Sequence, residues 1–163
     1  MIAMGAAQAH ALPGGNWASS TSPLYVNSSG YGGTVSAAYG TFQGYREDQN
    51  RGSRIQDWSA HRDPNGNTSE RGAYVNHAWY FDGNNCYVTS LSDSGGSIGC
   101  STGWWSQGTT HTPDTESKSW QYYETWHVID PTGSSGRAGM SACFDRVLAS
   151  DYCSGTIYRG ANY

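Results

Sequence analysis

Four groups of residues in this chain have the types and spacing that chemistry requires. Asp93-Ser94-Gly95-Gly96 offers a serine hydroxyl followed by flexible backbone. In a serine hydrolase such a hydroxyl attacks a carbonyl while the neighbouring amides hold the oxyanion. That chemistry also needs a histidine base and an orienting aspartate. His61 sits in an Arg/Asp/Pro-rich turn with too little chain ahead of it to build the part of a fold that usually carries the base, and Ser92 replaces the glycine usual before the aspartate. The competing reading is a Ser/Gly loop between strands, closed by a Cys86–Cys100 bridge.

Asp63-Pro64-Asn65-Gly66-Asn67 has the D-x-N-x-N spacing with which alternate side chains converge on a calcium ion. The pattern then lapses: Thr68 stands at the sixth position and Tyr74 at the twelfth, where glycine and a bidentate glutamate belong. A turn with Pro at its second position is the simpler reading. His61, His77, His111 and His127 are candidates for acid/base or metal chemistry, His77 and His127 lying on expected strands. Histidines scattered in this way more often serve packing or the surface. Trp104-Trp105, with Tyr122 and Tyr123, can form a stacking platform for a sugar or a contact patch for a protein. The alternative is an aromatic core. Adjacent residues of a strand point to opposite faces, so Trp104 and Trp105 cannot both enter one core.

The elements that must position these groups are strands. With 36% hydrophobic residues, 22 Gly, 12 Tyr and 7 Trp but few aliphatics, aromatic rings must supply most of the buried apolar area. Nine basic residues against thirteen acidic ones, without a basic cluster, leave no footprint for nucleic acid. No segment approaches the roughly 20 apolar residues of a membrane helix. No cofactor signature is present. Ala73, Val75, His77, Trp79 and Phe81 alternate with more polar neighbours, and Trp120, Tyr122, Glu124, Trp126 and Val128 do the same, so each set is expected on the apolar face of a central strand. Residues 86–91, 140–144 and 156–158 read as further strands. Asp82-Gly83-Asn84-Asn85 reads as a hairpin turn.

Cys86, Cys100, Cys143 and Cys153 form neither CxxC pairs nor a zinc pattern, which predicts two disulfides and an oxidising compartment. Of three possible connectivities, the sequence-local one is expected: Cys86 with Cys100 and Cys143 with Cys153. Ala7-Gln8-Ala9 and Ala9-His10-Ala11 match signal-peptidase sites after a short apolar stretch, so residues 1–11 read as a signal-peptide remnant. Residues 12–40, rich in Gly and Ser, read as a flexible arm, and residues 41–163 as one all-β, disulfide-braced antiparallel β-sandwich. Within the arm, Leu24, Tyr25, Val26, Val35 and Tyr39 are the β-prone candidates to bind a partner as added strands. Edge strands of the chain's own sandwich are the equal alternative.

Gly40-Thr41-Phe42, Arg54-Ile55-Gln56-Asp57-Trp58, Met140-Ser141-Ala142-Cys143-Phe144-Asp145 and Asp151-Tyr152-Cys153-Ser154 together resemble the strand and turn pattern of small secreted β-sandwich proteins of actinobacteria, with cover over roughly residues 40–158. The adaptor subunits of umbrella toxin particles are of this type. The resemblance implies a secreted, non-catalytic adaptor whose N-terminal arm docks onto another secreted subunit. It carries over no catalytic residue. A carbohydrate-binding module contacting a cell-surface glycan through Trp104 and Trp105 is the second expectation, and a serine hydrolase the third.

Overall fold

The aliphatic-poor, aromatic-rich chain forms strands almost throughout. The computed structural model describes residues 14–47, 53–66, 72–92, 95–129 and 133–163, with the backbone alone described over 84–92 and 95–102. The strands are β1 (Asn16–Ala18), β2 (Leu24–Ser28), β3 (Gly33–Arg46), β4 (Arg54–Arg62), β5 (Gly72–Ser92), β6 (Gly95–His111), β7 (Gln121–Val128), β8 (Ser135–Asp145), β9 (Tyr152–Cys153) and β10 (Ile157–Asn162). Two five-stranded antiparallel sheets result. The first runs β1-β3-β4-β7 with β2 also on β3, and the second runs β10-β8-β5-β6 with β9 also on β8. The all-β sandwich read from the sequence is therefore the fold.

The core lies between the sheets. Trp17, Val26, Val35, Phe42 and Ile55 of the first sheet belong to one buried cluster with Val75, Trp79, Phe81, Met140 and Phe144 of the second. Each such side chain contributes about 1.5–3 kcal/mol on burial. Gly40 permits a close approach in this layer. A β-carbon there would lie 2.7 Å from Cζ2 of Trp17, so only glycine lets that indole rest on the β3 backbone.

Three expectations are corrected. Residues 14–40 are no free arm: β2 pairs with Gly33 to Ala38 of β3, β1 pairs with Gly40 and Thr41, and Trp17, Val26 and Val35 are buried. Their apolar side chains gain more from the shared core than the Gly/Ser segment loses in chain entropy. Secondly, Asp82-Gly83-Asn84-Asn85 is not a turn. β5 runs straight through it, pairing Gly83 with Gly103 and Asn84 with Thr102, and the reversal falls between Ser92 and Gly95. A β6 strand long enough to pair with all of β5 overrides a local turn signal. Beyond Phe81, where pairing with β8 ends, the two strands continue as a two-stranded ribbon.

Thirdly, β7 is an edge strand, and the face expected inside is outside. Tyr122, Trp126 and Val128 are exposed at 56%, 38% and 52%. The less apolar set, Tyr123, Thr125 and His127, faces the interior half-buried. The reason is the chemistry of the interior opposite it.

Candidate functional site

Strand alternation sends Ile55, Asp57, Ser59 and His61 of β4 inward and Trp58 and Arg62 outward. Across the sandwich, β5 sends His77 inward. Asp57 Oδ1 accepts a 3.0 Å hydrogen bond from the Trp17 indole, and Oδ2 lies 2.8 Å from His77 Nε2. Thr125 Oγ1 of β7 lies 3.0 Å from that same Nε2. Asp57 and His77 are both fully buried. Burial pushes the Asp57 carboxyl pKa up, against the downward pull of His77 and the Trp17 indole. His61 is buried next to this group, with Nε2 2.9 Å from the Pro113 carbonyl oxygen and Tyr123 stacked on its ring. Its pKa falls to about 4 because burial outweighs the stabilising carbonyl, and His77 adds to the fall.

A hydroxyl, an imidazole and a carboxylate in sequence suggest a nucleophile relay, but the geometry does not make one. A working triad places the carboxylate on one ring nitrogen and the hydroxyl on the other. Here both meet Nε2, while Nδ1 is buried without a partner. The cluster joins the two sheets and orders the core. Neither Asp57 nor His77 has solvent exposure.

The outer face of the first sheet is different. Tyr39 packs edge-on against Trp58 and Trp120, with ring centroids 5.7 and 4.7 Å apart, and Trp58 stacks on Tyr122 at 5.5 Å. The Arg62 guanidinium lies 4.4 Å over the Trp120 ring. Further along β7, Arg54 lies 5.9 Å from the Trp126 ring. Burial and a hydrogen bond that it donates to Tyr122 raise the Tyr39 pKa, so this hydroxyl stays protonated. These rings form one amphipathic surface continuous with β7, whose other long edge pairs with no strand among the described residues.

The sequence-level candidates are placed as follows. Val26 and Val35 are core residues, Leu24 is half-buried against the core, and Tyr25 is half exposed on β2. Tyr39 joins the aromatic face. Trp104 and Trp105 point to opposite sides: Trp104 is 42% exposed, whereas Trp105 is partly buried and donates to the Gly83 carbonyl. Cys143 and Cys153 form a disulfide between paired residues of β8 and β9. Cys86 and Cys100 are backbone partners in the β5–β6 register, the placement an inter-strand bridge requires, but their side chains lie outside the described residues.

Asp93 and Ser94 also lie outside the described residues, as do Asn67 and Thr68. Asp63 heads a turn, its Oδ1 accepting from the Asn65 amide and its carbonyl from Gly66, whose φ is 61°. Among the described residues no three His, Cys, Asp or Glu side chains are grouped to hold a metal. Sequence reasoning missed Asp57, Trp58, Arg62 and Trp120. Trp120 was expected on the inward face, and the partners that gather all four come from distant strands.

No known protein family, curated protein or solved structure matches this chain. Fold and site define a disulfide-braced antiparallel β-sandwich with an aromatic outer face.

Proposed function

We propose that this chain is a secreted, non-catalytic interaction module, an adaptor subunit joining other secreted proteins in an extracellular assembly. The observation that carries this reading is β7: an eight-residue strand with an unpaired edge among the described residues, whose exposed side chains include Tyr122, Trp126 and Val128. An extended segment of another subunit fits there as an added strand. Backbone hydrogen bonds would give affinity and the alternate aromatic side chains specificity. Tyr and Trp are the residues that most often dominate such interfaces.

The sealed Asp57–His77 pair favours a binding role over a hydrolytic one. The resemblance to umbrella toxin adaptors points to a toxin particle as the assembly. With Val26 and Val35 in the core, docking moves from the N-terminal segment to β7, and Tyr25 marks the open edge of β2. Disulfide Cys143–Cys153 fits secretion into an oxidising compartment.

The test is to tag the protein in its producing culture and follow it by size-exclusion chromatography and mass spectrometry. We expect a stoichiometric secreted partner that is lost in the Tyr122→Ser/Trp126→Ser variant, with the melting temperature little changed. A chain that elutes alone, or a partner that the variant retains, overturns the reading.

A further inference from the structure

On the second sheet, away from β7, a groove of about 300 Å³ is lined by Trp104 of β6, Ser135 and Arg137 of β8, and Tyr158, Arg159 and Asn162 of β10. Its centre is Arg137. The guanidinium carbon lies 4.6 Å from the Trp104 ring, 5.2 Å from Tyr158 and 5.1 Å from Tyr80. The register explains this cluster. Tyr80 pairs with Arg137 across β5 and β8, and Tyr158 follows on β10 opposite Gly139. Three rings thus hold a planar cation in place, so little side-chain entropy is lost when it meets a ligand.

The carboxylate beside this cation in the register, Asp82 opposite Trp104, is taken up by Ser134 and Ser135. Among the described residues Arg137 meets no carboxylate, and its Nε is buried without a hydrogen-bond partner. Arg159, also at the groove, alternates to the other face of β10 and turns its guanidinium to the backbone carbonyls of Asn16 and Tyr158, so Arg137 is the cation that the groove presents. No Asp or Glu lines the groove, although the chain carries a net charge of −4. A guanidinium held between rings in a groove without a lining carboxylate has a place for a ligand's anion. Arg is suited to a carboxylate because its fork presents two parallel donors.

The rest of the lining specifies the other half of the ligand. Trp104 and Tyr158 are 42% and 47% exposed, offering ring faces of the kind that stack on the C–H face of a sugar. Ser135 donates to Asn162 Oδ1, which fixes the amide at the groove's edge. A few polar groups set beside aromatic walls are typical of small-ligand sites, and the volume is at the small end of their range, suited to a single sugar unit. We propose that this groove binds a carboxylated sugar, a uronic acid unit of an acidic glycan, with the carboxylate on Arg137 and the ring on Trp104.

The experiment is an NMR and calorimetric titration of the whole protein with glucuronic acid, oligogalacturonate, glucose and acetate as separate probes. We expect the sugar acids to shift the Trp104 indole and Arg137 Nε–H signals and to bind at least about tenfold more tightly than glucose or acetate, a difference of about 1.4 kcal/mol. Arg137→Gln should abolish the preference for the sugar acid over glucose, and Trp104→Ala the preference over acetate. Equal binding of glucose would show that no carboxylate is read. Equal binding of acetate would show an anion site without sugar recognition. Either result, or no shift at Trp104 with any probe, overturns the proposal without recourse to a variant.

Discussion

Asp57 and His77 face each other across the sandwich, Oδ2 to Nε2 at 2.8 Å, one from each sheet and both without solvent exposure. A buried charge is tolerated only when paired and hydrogen-bonded, and Trp17 and Thr125 complete the shell on the first-sheet side. This polar contact decides the orientation of β7. A hydroxyl is needed beside His77, so Thr125 turns inward, and strand alternation then forces Tyr122, Trp126 and Val128 outward.

Breaking this pair by removing one partner should be costly. His77→Phe leaves the Asp57 carboxyl buried without its imidazole partner and is expected to destabilise by about 3–5 kcal/mol. Trp17→Phe, which removes a single donor, should cost about 1–3 kcal/mol. Replacing both members in Asp57→Leu/His77→Phe should cost less than the sum of the single changes, because no orphan charge remains. Urea unfolding of these three variants and of Asp57→Leu alone measures each value, and additive costs would show that the pair is not coupled.

The lowered pKa of His61 makes stability fall with acid. An unfolded histidine titrates near 6.5 and folded His61 at about 4, so the unfolded chain takes up this proton first. Stability from neutral His61 is therefore complete above about pH 6.5 and is lost as the pH falls towards 4, by up to about 3 kcal/mol. Asp57, with its raised pKa, pulls in the opposite direction over the acid range. The His61→Gln variant should lose the His61 slope and keep that of Asp57. In the native protein, the His61 imidazole signals should remain those of the neutral ring at pH 5.

Cys143 and Cys153 join strand β8 to a two-residue strand that has only two register pairs of its own. Beside the bridge, Ser154 N donates to the Ala142 carbonyl and Tyr74 Oη to Asp151. Cys143→Ser/Cys153→Ser should lower stability by about 2–4 kcal/mol through the entropy of the unfolded loop. Limited proteolysis should then cut first within residues 146–151, next to exposed Leu148. Non-reducing peptide mapping should recover Cys143 with Cys153. A Cys86–Cys143 peptide would contradict the sheet arrangement.

Local chemistry was enough for several features. The all-β class follows from aromatic and β-branched residues recurring between turn residues. The inward set of β5 follows from period-two alternation. The Asp63 turn follows from Pro64 and Gly66, and the Cys143–Cys153 pair from short spacing. The β7 orientation was not legible in its own strand, because hydrophobicity alone favours Tyr122 and Trp126 inside. Only tertiary structure brings Asp57 of β4 and His77 of β5 to Thr125, across separations of 20 and 48 residues. The same holds for residues 14–40. Their Gly/Ser content describes the cost of ordering them, whereas their place is set by what Trp17, Val26 and Val35 bury against in distant strands. A sequence carries its alternation and its turns locally, but which face lies inside depends on the partner opposite, and that partner exists only once the two sheets have closed on each other.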